Sequence, residues 1–212
     1  MNRTFLIFLM IGSAMLIAVI GTQKPTIQHD YAPWDVTSSE QGALHVFGIT
    51  LGKTTIKQAS QVFGNSAETQ FLVAPSDSKN HQRQLITIYK DLIISGVISE
   101  LRLTHQLDKH KLNELYSILS TESNAQDTQQ SYIIPAELKA QYLSTPIASI
   151  TYIPSINYGE DVILQRFGTP SEELAKSDTI TLWLYPEIGL EIQLRPNQAE
   201  HFIYTDLKSI TQ

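Results

Sequence analysis

Cysteine is missing from all 212 residues. Its absence removes disulfides, a thiol nucleophile and a lipid-bearing cysteine together, so whatever folds here must be held by an ordinary apolar core. Basic charge is scarce as well: 15 Lys and Arg stand against 21 Asp and Glu, a net charge of −6. No stretch gathers Lys or Arg into a stripe, which argues against nucleic acid and against docking on anionic headgroups. Tryptophan is down to two residues, Trp34 and Trp183. A lone Trp in a strand more often fills a core or a hairpin than stacks a sugar.

Catalytic motifs are also lacking. No Gly-x-Ser-x-Gly nucleophile elbow occurs, and its absence leaves no serine displayed at a strained strand–helix turn. Residues 48–54 (GITLGKT) imitate a phosphate loop, but Gly48 and Gly52 are separated by three residues where the loop needs four. A turn leading into a helix accounts for the segment. Among six histidines, His29, His45, His81, His105, His110 and His201, only His105 and His110 lie close in sequence. Five apart across a strand–helix boundary, they do not match metal-ligand spacing and are expected as a solvent-exposed pair. The carboxylates Glu172, Glu173, Glu187 and Glu191 lie around turns and are expected as surface charge. No catalytic, cofactor-binding or metal-binding residue is therefore assigned.

What the sequence does have is one long apolar run. Residues 5–20 (FLIFLMIGSAMLIAVI) carry no charge, and with Thr4 and Gly21 the run reaches 18 residues, enough to cross a hydrocarbon core as a helix. Arg3 precedes it, and the positive-inside rule then places the N-terminus in the cytoplasm. A cleavable signal peptide is the rival reading, disfavoured by Ile20 and by the lack of an A-x-A pattern before a cut. The organisation expected is a cytoplasmic tip (1–4), a transmembrane anchor in the lipid bilayer (5–21), a linker (22–32), a first α+β unit (33–120), a polar linker (121–131) and a second α+β unit (132–212).

Periodicity fills in those units. Runs at 34–36 and 44–47 flank a turn and predict a hairpin. Thr54 or Thr55 caps a helix with Ile56, Ala59, Val62 and Phe63 on one face, ended by Gly64. Strands are predicted at 70–74, 85–89 and 98–103. A helix follows, capped by Asp108, with Leu112, Leu115, Tyr116 and Leu119 on one face. The second unit predicts helical turns over 136–143, a strand over 150–153, and a helix from Asn157 or Gly159 ending at Gly168. Strands at Ile180–Tyr185, Leu190–Leu194 and 201–204 follow.

The order repeats. Gln61-Val62-Phe63-Gly64 aligns with Gln165-Arg166-Phe167-Gly168, each closing a capped helix before strands, as in an internal duplication. In the second half Phe167-Gly168-Thr169-Pro170 and Trp183-Leu184-Tyr185 resemble the SmpA/BamE-like modules and the tandem repeats of the β-lactamase-inhibitor-protein type. The first half departs from that pattern: Ser66 stands where the proline would be, and Tyr89 replaces Trp-x-Tyr. The whole chain also resembles membrane-anchored proteins of γ-proteobacteria. The resemblance implies a bacterial inner-membrane protein with a periplasmic helix-plus-sheet scaffold used for protein contacts, and it transfers no catalytic residues.

The function expected is therefore a non-enzymatic, inner-membrane-anchored protein-interaction module, an accessory subunit or envelope assembly factor. A ligand- or glycan-binding domain is the alternative and a hydrolase the third reading.

Overall fold

Phe47 and Gly48 both have positive φ (53° and 74°), as do Ser95 and Gly96 (48° and 81°). Two consecutive positive φ values are what the type I′ turn requires, and its twist suits a tight two-residue hairpin. The first turn joins β3 (Leu44–Val46) to β4 (Ile49–Thr50), and the second joins β6 (Arg83–Ile94) to β7 (Val97–His105). The segment resembling a phosphate loop is thus a hairpin followed by the entry to a helix.

The computed structural model describes residues 28–39, 42–73, 83–122 and 131–205. Besides the four strands above, it contains β1 (Gln28–His29), β2 (Thr37–Ser38), β5 (Glu68–Val73), β8 (Ser131–Ile133), β9 (Ile147–Pro154), β10 (Glu172–Ser177), β11 (Ile180–Tyr185), β12 (Leu190–Leu194) and β13 (His201–Thr205). The helices are α1 (Ile56–Phe63), α2 (Lys109–Glu122), α3 (Ala136–Gln141) and α4 (Glu160–Phe167).

Strands β2, β3 and β4 form a small antiparallel sheet, and the remaining ten form one large sheet. Its order is β10-β11-β12-β13-β9-β7-β6-β5-β8, with β1 added in parallel beside the end of β6. The junction between the halves is continuous: Leu101 of β7 faces Tyr152 of β9, and Tyr152 faces Phe202 of β13.

Helix α1 begins with a capping box in which the Thr55 side chain accepts from Gln58 N and Gln58 Oε1 accepts from Thr55 N at 2.9 Å. It ends at Gly64 (φ 89°, ψ 175°), and α4 ends at Gly168 (φ 80°, ψ −169°). Both glycines have the positive φ expected. Their ψ near 180° puts them not in the left-handed helical well but in a region essentially reserved for glycine. Phe63 packs on Tyr89 of β6 with ring centroids 5.5 Å apart, and Phe167 packs on Tyr185 of β11 at 5.8 Å. In each half, then, the last residue of the helix lies on a tyrosine of the second strand that follows.

One core serves both halves. Ile56, Ala59 and Phe63 of α1, Ile163 of α4, Leu44, Val46 and Ile49 of the small sheet, and Trp183, Ile192 and Phe202 of the large sheet belong to a single apolar cluster. A second cluster on the same face gathers Phe71, Leu85, Leu115, Leu119, Tyr132 and Ile134 beneath α2.

Two expectations are corrected. Two α+β units behind a transmembrane helix were expected; the described residues are instead mostly β, a ten-stranded sheet running through both halves with four short helices on it. The cause is pairing across the halves: β9 pairs with β7 on one edge and β13 on the other, and β8 pairs with β5, leaving neither half a separate sheet. The second correction concerns the membrane. The segment 5–21 lies outside the described residues, and among the described residues no helix is long and apolar enough to cross a membrane. The transmembrane, single-pass and inner-membrane reading is therefore set aside. Part of the expected linker is also structured: Gln28 and His29 pair with Ile93 and Ile94, and Ala32 is buried.

Candidate functional site

Side chains alternate across a strand, so each strand of the large sheet presents one set to each face. Both apolar clusters draw on one set only, and all four helices and the small sheet contribute to those clusters. The other face carries no described element. It is lined by Glu68 and Gln70 of β5, Glu100 and Arg102 of β7, and Thr151 and Ile153 of β9, while Ile86 and Ile88 of β6 lie on the same side but are buried, at 4% and 5% exposure. His201 and Ile203 of β13, Glu191 and Gln193 of β12, and Leu182 and Leu184 of β11 continue it.

The polar groups on this face are held in place by neighbours two residues away on the same strand. Gln70 Nε2 donates to Glu68 Oε1 at 2.5 Å, and Arg102 Nε donates to Glu100 Oε1 at 2.5 Å. On β12 a relay runs from Arg195 Nη2 to Gln193 Oε1 and from Gln193 Nε2 to Glu191 Oε1, both at 2.8 Å. Lys90 pairs with Glu68 at 3.6 Å. Apolar Ile153, Ile203, Leu182 and Leu184 are half-buried among these fixed polar groups.

His201 sits at the centre of this arrangement, opposite Gln193 in the ladder. Burial, then the Arg195 and Arg102 guanidinium charges, push its pKa down to about 4, against an opposing pull from Glu100. Its imidazole is therefore neutral at pH 7.

A cavity of about 570 Å³ opens beyond Arg195, between the start of α4 and the β10–β12 strands, with Trp183, Thr181, Glu160, Glu173 and Glu200 in its wall. Glu200 has a structural task there. It is 3% exposed, and its carboxylate accepts from Tyr158 N and Gly159 N, both at 3.1 Å. Those amides lead into α4, whose N-cap, Gly159, has no side chain to offer, and Gly159 N also donates to Asn157 Oδ1 at 2.7 Å.

A buried polar seam separates the two apolar clusters. Thr69 Oγ1 and Thr87 Oγ1 are 3.2 Å apart, Thr87 Oγ1 and His105 Nε2 are 2.9 Å apart, and His105 Nδ1 has no partner among the described residues. Burial and the Lys139 charge push His105 down to about 4. The expected exposed His105–His110 pair is corrected: His105 is 5% exposed and faces the core because it ends β7 on the buried set, whereas His110 is exposed on α2.

The other residues weighed from sequence are scattered. Glu172 and Glu173 are exposed on the edge strand β10, Glu187 accepts from Ser171 Oγ, and Glu191 lies on the open face. Trp34 lies under the Arg166 guanidinium at 4.3 Å, and Trp183 is buried. His45 meets Thr50, His29 is buried against Phe63, and His81 lies outside the described residues. Among the described residues no three His, Asp or Glu are grouped to hold a metal. Sequence reasoning missed Arg102, Gln193, Arg195, Glu200 and His201. The signal was present as strand alternation: Glu100-Leu-Arg102 and Glu191-Ile-Gln193-Leu-Arg195 place polar groups at every second position. Comparison of the chain with protein-family models, with curated proteins and with solved structures returns no match.

Proposed function

We propose that this chain is a non-enzymatic protein-interaction module that takes its partner on the open face of the large sheet. The observation that carries the reading is the one-sided arrangement: every described helix lies on one face, and the other presents polar side chains already fixed by hydrogen bonds among half-buried Ile and Leu. Side chains ordered before binding lose less rotamer freedom on association. A mixed surface of this kind has the composition of ordinary non-obligate interfaces. In the same reading the two halves are versions of one module of the SmpA/BamE-like type, joined edge to edge.

The cavity beside Trp183 favours a second reading, a small polar ligand or glycan held between an aromatic wall and carboxylates.

One experiment separates the two. Ile203→Arg places charge at the centre of the open face, Thr181→Arg narrows the cavity, and Gln61→Arg alters an exposed position of α1. Each full-length variant is checked for an unchanged melting temperature and for co-isolation of bound protein. Loss confined to Ile203→Arg supports the open face. Loss in Gln61→Arg with retention in Ile203→Arg contradicts it, and loss of bound glycan in Thr181→Arg alone establishes the second reading.

A further inference from the structure

Charge on the open face is not evenly neutralised. Arg102 is paired with Glu100 at 2.5 Å, and Lys90 with Glu68 at 3.6 Å. Arg195 differs. Its bond goes to the neutral amide oxygen of Gln193, whose NH₂ group in turn serves Glu191, so the amide stands between the cation and the nearest carboxylate on its strand. Among the described residues no carboxylate forms an ion pair with Arg195, which is half-buried. A partly desolvated guanidinium without an anion gains more from one than a solvated cation does.

The surroundings point the same way. Arg102 uses Nε on Glu100, leaving the outer edge of its guanidinium with no partner among the described residues. His201 lies between the two arginines, and both of their charges act on it. A neutral imidazole there neither repels an incoming anion nor supplies one. Two guanidinium groups and an imidazole thus face the same stretch of open sheet, with Ile153 and Ile203 beside them as apolar contacts. Glu100 and Glu191 also face this stretch, one spent on Arg102 and the other on Gln193. Arg195 further lines the cavity bordered by Glu160, Glu173 and Glu200, none of which forms an ion pair with it among the described residues.

We propose that the Arg102–His201–Arg195 cluster is the recognition anchor of the open face and takes carboxylate side chains from an acidic segment of a partner protein. The proposal rests on the interaction-module reading and names the chemistry of the partner. Binding is linked to proton uptake: an added carboxylate offsets the arginine charges, so His201 protonates more readily in the complex and affinity rises as the pH falls below neutrality.

The test uses the full chain and a hexaglutamate peptide, with hexaglutamine and inorganic phosphate as controls, followed by NMR of the arginine Nε–H and His201 ring signals. Hexaglutamate is expected to shift Arg102 and Arg195 and to raise the titration midpoint of His201. Arg195→Gln should weaken binding about tenfold, the effect of losing one charged contact, and Arg195→Lys should restore part of it by keeping the charge. Equal shifts from hexaglutamine, equal binding of phosphate, or unchanged affinity in Arg195→Gln would each overturn the proposal. If Ile203→Arg abolishes capture of the natural partner while Arg195→Gln leaves it intact, the acidic anchor is wrong and the interaction-module reading stands.

Discussion

The Tyr185 hydroxyl donates to the Gly168 carbonyl at 3.0 Å, tying the second strand after α4 to the glycine that ends that helix. Tyr89 holds the matching place in the first half, over Phe63, yet its hydroxyl is buried without a partner among the described residues. The two halves therefore keep the aromatic contact and differ in the polar one. Tyr185→Phe should cost about 1 kcal/mol, the net value of a typical hydrogen bond, whereas Tyr89→Phe should be neutral or stabilising because it deletes an unsatisfied buried group. Urea unfolding of both variants checks this. Equal losses would mean that Tyr89 has a partner.

Phe63 is 5% exposed and Phe167 half-buried, both on the same core. Phe63→Ala should destabilise by about 3–5 kcal/mol, the usual range for a core phenylalanine, and Phe167→Ala by less. Gly64→Ala and Gly168→Ala should each cost about 1–3 kcal/mol, because a side chain at these φ, ψ values is strained. An Ala variant at either glycine that melts like the parent would remove the case for two equivalent helix ends.

Acid should weaken the fold through His105. Its pKa is about 4 in the folded chain, against the ordinary value of 6.5. Between these values the unfolded chain binds more protons, so stability rises with pH in that window. The contribution is complete above pH 6.5 and is lost as the pH falls to 4, to the extent of about 3 kcal/mol. His105→Gln should reduce but not abolish the pH dependence of unfolding between 4 and 6.5, because burial and two arginines lower His201 to about 4 as well. A profile as steep as the parent's would place the titrating group elsewhere.

Removing the Glu200 carboxylate exposes the start of α4. Glu200→Ala leaves the Tyr158 amide without an acceptor among the described residues, while Gly159 N keeps Asn157 Oδ1 at 2.7 Å, and it should cost about 1–3 kcal/mol, the range for one unsatisfied buried donor. Hydrogen exchange localised to α4 is the readout, and unchanged protection there would refute the capping role.

Much of this fold was legible where pattern is strong. Strands Ile180–Tyr185 and Leu190–Leu194 begin and end where alternation and the intervening turn put them, and Asp108 caps α2 through its bond from Lys111 N at 2.8 Å. Strand β10 was not legible, because Glu172–Ser177 is exposed on both faces and so carries no alternation. Nor was the pairing of β7 with β9, since register between distant strands leaves no local mark. The open face went unread for the same reason: Arg102, Arg195 and His201 meet only after strands far apart in sequence lie side by side.

The most direct test of the open-face account is site-specific photo-crosslinking in the cells that express the full chain. A crosslinking residue at Thr151, in the middle of the open face, is compared with one at Gln61 on the exposed side of α1. The account predicts a single adduct of defined mass from Thr151, lost when Arg195→Gln is added, and none from Gln61. An adduct from Gln61 with none from Thr151 would contradict it.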